Sequence, residues 1–99
     1  MAQFSKELVS ASDEVRVVRL RVPAGSGVPE HHANVDVIAT VVRGEGDFTV
    51  GGQPRAVRAG DVIVMKPKER HSIAAVSDLE LVVVHARVAC AGEAPTCGA

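Results

Sequence analysis

Short valine-rich runs separated by frequent turn residues restrict the fold of this chain more than any other feature of its sequence. The segments 35–42 and 62–65 are such runs, and the segments 43–47 and 51–54 combine glycine with aspartate or proline. Strands of this length, joined by turns at short intervals, are typical of antiparallel sandwiches and barrels. No segment has the i, i+3, i+4, i+7 apolar spacing of an amphipathic helix. The pattern predicts an all-β fold, a single antiparallel β-barrel or jelly roll of seven or eight strands.

A chain of 99 residues is long enough for one domain with one small core. That core must be mostly aliphatic, because the chain has two phenylalanines and no tryptophan or tyrosine. A domain of this size buries roughly 60–70% of the surface of its unfolded chain, which leaves a small margin of stability. We therefore expect one domain over residues 1–99, with its core at about 15–88, and a homodimer that enlarges this core.

The segment 89–99 is rich in alanine and glycine and contains both cysteines, Cys90 and Cys97. We expect a flexible C-terminal tail here. The N-terminus lacks the apolar run of an export signal, so the two thiols are expected to be reduced. A small disulfide loop and coordination of a metal are the alternatives.

The charge distribution argues against two classes of partner. The chain has 11 basic and 12 acidic residues, which gives a net charge of −1, and the basic residues form no cluster. This balance indicates neither a nucleic-acid-binding nor a membrane-binding protein. No run approaches the roughly 18 apolar residues of a membrane span. We expect a cytoplasmic protein.

The segment 15–22 alternates apolar residues with arginines, apart from one irregular step at residues 17–18. This alternation predicts a half-buried strand, with an outer face that carries Arg16, Arg19 and Arg21.

The segment 60–71 resembles the second conserved motif of the cupin superfamily. In that motif a Gly-Asp pair opens a strand, a proline closes it, and a histidine follows four residues after the proline. Gly60, Asp61, Pro67 and His71 stand at these places.

Two departures from this motif are present. The glycine that the family usually carries in the loop after the proline is replaced by Lys68 or Glu69, and the asparagine that follows the histidine is absent near Ala75. The resemblance extends over about residues 15–88 and implies a small single-domain cupin.

The first cupin motif, a His-x-His pair followed by a glutamate and then a glycine, is altered in this chain. The glycine of this motif corresponds to Gly44. Counting back from Gly44, the glutamate position holds Val37, with Asp36 beside it. The His-x-His positions then hold Glu30 and His32. A register shifted by one residue places His31 and Asp36 at the ligand positions instead. Because alternate residues of a strand share a face, the favoured register turns Glu30 and His32 inward and His31 outward.

The resemblance implies a divalent transition metal at one mouth of the barrel, with Glu30, His31, His32 and His71 as its candidate ligands. Two histidines with one carboxylate have the composition of a facial triad, which leaves coordination positions open for oxygen or substrate. Such a set suits divalent Fe, Mn, Ni, Cu or Zn. The altered first motif predicts weaker or altered metal binding. The alternative is that these side chains are solvated polar groups at the rim.

His85 and Asp36 are further candidates for the pocket. His85 shares one face of the last predicted strand with Leu81 and Val83, so it is expected to point inward. It is either a core histidine hydrogen-bonded to the backbone, or a fourth ligand or proton-transfer group. Asp36 is either a ligand or a polar residue beside a turn.

The predicted strand at 35–42 would line the pocket with Val37, Ala39 and Val41, and the small Ala39 leaves room for a ligand. An apolar pocket with a few polar groups at its rim is the usual form of a small-molecule site. No phosphate-binding loop or serine-nucleophile motif is present. The resemblance implies a metal-dependent enzyme of the dioxygenase or isomerase type that acts on a small organic molecule. The alternative is a non-catalytic binding or sensing protein with a degenerate metal site.

Overall fold

The computed structural model describes residues 3–86, which form nine β-strands. The strands are β1 (Ser5–Ala11), β2 (Val15–Val22), β3 (Gly27–His31), β4 (Asp36–Arg43), β5 (Glu45–Val50), β6 (Gln53–Arg58), β7 (Val62–Met65), β8 (His71–Ala75) and β9 (Leu79–Ala86). Within this range there is no helix able to span a membrane. The predicted tail at 89–99, with Cys90 and Cys97, lies outside the described residues.

The nine strands form two antiparallel sheets. The five-stranded sheet has the order β1-β2-β9-β4-β7, and the four-stranded sheet has the order β3-β8-β5-β6. Every neighbouring pair of strands is antiparallel. The predicted all-β jelly roll is confirmed, with two packed sheets in place of one closed barrel.

The core lies between the two sheets and follows the two-residue alternation of the strands. In β4 the side chains of Val37, Ala39 and Val41 are buried, and their neighbours are more exposed. Val37 and Ala39 line a cavity, as predicted, but Val41 does not. Phe48 and Leu81 are at most 1% exposed, and burial of such a side chain stabilises the fold by roughly 1.5–3 kcal/mol. The remaining buried residues of the core cluster are Leu20, Val22, Val28, Val57, Ile63, Met65, Ile73, Ala75 and Leu79.

β3 contains Pro29 and ends at His31, so His32, which the favoured register placed on a strand with Glu30, lies beyond it. Proline has no backbone N–H to donate, so it is tolerated in edge strands. β3 is at the edge of the four-stranded sheet and pairs with β8 alone. Its register against β8 shifts between Val28 and His31. This irregularity interrupts the alternation of inward and outward side chains just before the two neighbouring histidines.

The Gly-Asp pair of the second motif aligns β7 with β4. Gly60 has a φ of 98°, a conformation that glycine adopts without steric cost. Its N–H donates to the Val41 carbonyl at 2.8 Å. The Asp61 carboxylate accepts a hydrogen bond of 2.9 Å from the Arg58 N–H and closes the turn.

The loop between β7 and β8 places His71 at the start of β8. Lys68 has a φ of 69°, in the left-handed region that favours glycine, so of Lys68 and Glu69 it is Lys68 that takes a conformation suited to the glycine of the motif. The Lys68 N–H donates to the Ala33 carbonyl at 2.6 Å, which ties this loop to the segment before β4. The Glu69 carboxylate accepts from the Lys66 N–H at 3.1 Å.

Candidate functional site

A cavity of about 110 Å³ lies between the two sheets and is lined by residues from both. Its apolar wall consists of Val18, Leu20, Val28, Val37, Ala39, Phe48, Met65, Ile73 and Val83. Its polar wall consists of Lys6, Arg16, His31, His71 and His85. Lys6, Arg16 and His31 are exposed and mark the mouth, whereas His71 is buried and His85 half-buried. The cavity therefore has an apolar interior with a few polar groups, as small-molecule sites do.

His31 and His71 form a pair across the β3–β8 ladder. The two residues are register partners, and their ring centroids are 4.2 Å apart at an interplanar angle of 68°. This is an edge-to-face arrangement, which aromatic rings prefer over a face-to-face stack. The pair brings one imidazole from each cupin motif to the same wall of the cavity.

Backbone carbonyls fix the orientation of both rings. The Nδ1 atom of His31 lies 2.8 Å from the Pro29 carbonyl oxygen, and that of His71 lies 3.0 Å from the Glu69 carbonyl oxygen. A carbonyl oxygen can only accept, so each Nδ1 carries the proton and donates. In the neutral rings each Nε2 is then a free acceptor for a ligand proton or a metal.

Burial keeps His71 neutral. The side chain is 5% exposed, and this burial is the main cause that lowers the pKa of the His71 imidazole. The hydrogen bond to the Glu69 carbonyl opposes this effect, and the neighbouring His31 adds to it. His71 is therefore an uncharged imidazole near neutral pH.

His85 faces the same cavity from β9, as the alternation predicted. Within residues 3–86, its buried Nδ1 atom has no hydrogen-bond partner. Burial lowers the pKa of His85, and the charges of Arg16 and Lys6 lower it further. Because a buried polar atom without a partner is costly, this nitrogen is available to a ligand.

The other predicted site residues lie outside the cavity wall. Glu30 is exposed and forms an ion pair of 3.5 Å with Arg70, and His32 is exposed. Asp36 is half-buried at the start of β4, where it pairs with Ala86 of β9. None of these three residues lines the cavity. Of the two neighbouring histidines, the structure thus brings His31 to the cavity, because the register shift in β3 reverses the expected alternation.

The side chains in residues 3–86 do not fit a metal centre with three or four protein ligands. No group of three or more His, Cys, Asp or Glu residues in this range could hold a metal ion. His31 and His71 supply two nitrogen atoms, and Glu30, the nearest carboxylate in sequence, is directed to Arg70. Protein sites for transition metals usually provide at least three ligands.

Sequence reasoning did not assign Lys6 and Arg16 to the cavity. Arg16 was expected on the outer face with Arg19 and Arg21, but it lies on the same face of β2 as Val18 and lines the cavity. The irregular step at residues 17–18 indicates this difference. Because two apolar residues follow each other there, Arg16 shares a face with Val18, whereas Arg19 and Arg21 lie on the other face. Lys6 had no such signal, because every residue of β1 is exposed.

The antiparallel sheets and the cavity between them define a small jelly-roll protein, and comparison with known proteins gives its family. The family model described as "Cupin domain" matches residues 18–86. An RmlC-like cupin of known structure from Desulfovibrio desulfuricans is 30% identical, with a TM-score of 0.79, over 85% of this chain and 82% of that chain. This chain belongs to the cupin family.

More distant solved structures share the fold. A cupin superfamily protein from Desulfitobacterium hafniense is 20% identical, with a TM-score of 0.81, over 87% of this chain and 79% of that one. A salicylate 1,2-dioxygenase from Pseudaminobacter salicylatoxidans is 15% identical, with a TM-score of 0.81, over 87% of this chain and 27% of that one. At these identities the likeness concerns the fold alone. The search of curated proteins gave no match.

Proposed function

We propose that this protein binds a small organic molecule in the cavity between its sheets, with His31 and His71 as polar contacts. The observation that carries this proposal is the pair of imidazoles on the wall of an apolar cavity, each held at Nδ1 by a backbone carbonyl. A rigid hydrogen-bonding pair beside an apolar wall gives a ligand both orientation and burial.

The size of the cavity limits the ligand. Engineered cavities of about 150 Å³ bind benzene, so the 110 Å³ here suits a buried group of similar or smaller size. The best small ligands gain at most about 1.5 kcal/mol for each non-hydrogen atom. We therefore expect dissociation constants in roughly the micromolar to millimolar range.

A screen of small molecules followed by protein NMR tests this function. Ala39 is fully buried and lines the cavity, so Ala39→Leu would fill part of it. Binding should shift amide resonances of β3, β4 and β8 in the parent and be lost in Ala39→Leu. Val64→Leu, on the outer side of the same sheet, is the control for a general effect of added volume. Failure of every compound to bind, or binding that survives the filling of the cavity, would contradict the proposal.

Binding of a divalent transition metal (Fe, Mn, Ni, Cu or Zn) is a second candidate, and one observation favours it. Histidines that bind metals usually donate their other ring N–H to a carbonyl or a carboxylate, as His31 and His71 do. Glu30 and His32 would have to turn toward this pair to complete the predicted ligand set. An enzymatic role of the dioxygenase or isomerase type depends on this candidate.

Elemental analysis separates the two candidates. The protein is purified without added metal and then again after incubation with each metal. Stoichiometric metal in the parent and its loss in a His31→Ala/His71→Ala variant would support the metal site. A ligand that binds to metal-free protein would support the cavity function by itself.

We also propose that a second copy covers the outer face of the five-stranded sheet. There an apolar row crosses four strands in register and consists of Val17, Ile38, Val64 and Val84. Val64, at the end of the row on the edge strand β7, is 59% exposed. Exposed apolar patches rimmed by charged residues mark protein interfaces, and two copies of such a row are complementary around a two-fold axis.

A further inference from the structure

The polar residues that line the cavity are all basic. Lys6, Arg16, His31, His71 and His85 line it, and no aspartate or glutamate does. This is not the result of a generally basic protein, because the whole chain has a net charge of −1. Two permanent positive charges, Lys6 and Arg16, therefore line this site without an acidic residue beside them in the lining.

The two permanent charges stand on the inner faces of neighbouring strands. Arg16 is the register partner of His85 across the β2–β9 ladder, and Lys6 is the register partner of Leu20 across the β1–β2 ladder. Cross-strand partners have Cβ atoms about 4.5–5.5 Å apart. Arg16 is thus a direct neighbour of the inward-facing His85, at the mouth of the cavity.

The carboxylates that form ion pairs within residues 3–86 are held by other arginines. Glu80 is surrounded by Arg19, Arg21 and Arg43 on the outer face, and Glu30 pairs with Arg70. By contrast, no carboxylate among residues 3–86 lies within 4 Å of the charged groups of Lys6 or Arg16. Their charges lower the pKa of His85, so they act on the cavity itself.

We propose that the ligand of this cavity is a small organic monocarboxylate, whose carboxylate is held by Arg16 and Lys6 and whose hydrocarbon part lies against the apolar wall. The inference rests on the proposed binding function and adds the class of ligand. A guanidinium matches the two oxygens of a carboxylate with two parallel N–H donors. A charged ligand group beside an apolar cavity needs such a partner, because an unpaired charge is costly to desolvate.

The apolar wall decides between classes of anion. Val28, Phe48 and Met65 form part of it, and a purely inorganic anion would leave these side chains without contact. A sugar phosphate would place its hydroxyl groups against the apolar wall, where they have no hydrogen-bond partner. A short aliphatic or single-ring acid uses both parts of the wall.

Binding of matched acids and amides tests the proposal. Propionate, isobutyrate and benzoate are each compared with the primary amide of the same skeleton by NMR titration at about pH 8, where the acids are ionised. At least one acid should bind about tenfold more tightly than its amide, because the pair differs in charge and hardly in shape. Arg16→Met should remove this preference and Lys6→Met should reduce it. Arg21→Met, on the outer face of the same strand, should leave it unchanged.

The outcomes separate this inference from the function on which it rests. Equal binding of acids and amides in the cavity would overturn the carboxylate assignment and leave small-molecule binding intact. A preference for acids that persists in the Lys6→Met/Arg16→Met double variant would also overturn it. Absence of binding by every acid and amide up to about 50 mM would overturn both.

Discussion

The imidazole rings of His31 and His71 meet edge to face across the β3–β8 ladder, with their centroids 4.2 Å apart. Each ring donates its Nδ1 proton to a carbonyl two residues earlier in its own strand or loop. The contact therefore joins the edge strand β3 to its sheet and also presents two ring nitrogens to the cavity. The same arrangement serves the stability of the fold and the chemistry of the site.

Removal of the two rings should have non-additive effects on the free energy of unfolding. His71→Ala should lower the free energy of unfolding by about 1–3 kcal/mol, since it empties a buried position, and His31→Ala by less than about 1 kcal/mol at its exposed position. A double-mutant cycle in urea should give a coupling of about 0.5–1.5 kcal/mol for the ring pair. Strictly additive effects would mean that the observed contact contributes nothing.

Stability should fall as the solution is acidified through about pH 6.5. His85 has a lowered pKa because it is half-buried and faces Arg16 of β2, Lys6 of β1, and His71 and His31 across the cavity. The unfolded chain then takes up a proton at a higher pH than the folded chain does. The free energy of unfolding is therefore greatest above about pH 7.5, decreases through pH 6.5 and levels off below the folded pKa.

The lowered pKa of His71 acts in the same direction. Urea unfolding at several pH values measures this dependence, and His85→Gln should make it shallower. An increase in stability on acidification across this range would contradict the electrostatic description of the cavity.

Lys68→Gly should stabilise the protein. Lys68 has a φ of 69°, and a left-handed conformation costs an L-residue roughly 1–2 kcal/mol. Glycine avoids this cost, but its more flexible unfolded state offsets part of the gain. We expect the free energy of unfolding, measured by heat or urea, to rise by about 0.5–1 kcal/mol. Lys66→Gly, at a neighbouring exposed lysine without positive φ, should destabilise and serves as the matched control. Equal losses in both variants would show that the loop conformation is not strained at Lys68.

The outer apolar row should control self-association. Val64→Glu places a charge at the most exposed position of this row and should shift the protein toward the monomer by at least about tenfold in the dimer dissociation constant. Val76→Glu is the control, because Val76 is similarly exposed, 64% against 59%, but lies outside the row. Sedimentation velocity over a range of concentrations measures the change. A parent that stays monomeric at all concentrations would refute the proposed dimer.

The sequence determines the fold more clearly than the site. The alternation in β4 and the motif from Gly60 to His71 predicted which side chains are buried and where a histidine follows the turn. Period-two patterns are reliable in such strands because a packed sheet buries one face of each. The prediction of His85 as an inward residue has the same basis.

Local irregularities account for what the sequence did not predict. The register shift in β3 brings His31 and not His32 to the cavity, and the step at residues 17–18 places Arg16 inside. A shift of one residue exchanges the two faces of a strand, and it depends on pairing with strands distant in sequence. Lys6 reaches the site only through such pairing, from a strand whose residues are all exposed.

The most direct test of the cavity as a ligand site is the response of all four histidines to one titration. Long-range ¹H–¹⁵N correlation spectra resolve the ring nitrogens, and the acid that binds most tightly among propionate, isobutyrate and benzoate is added to the parent protein at about pH 8. The ring signals of His31, His71 and His85 should shift together along one saturating curve, and those of the exposed His32 should stay in place. No change in the three cavity histidines, or an equal change in His32, would contradict the account.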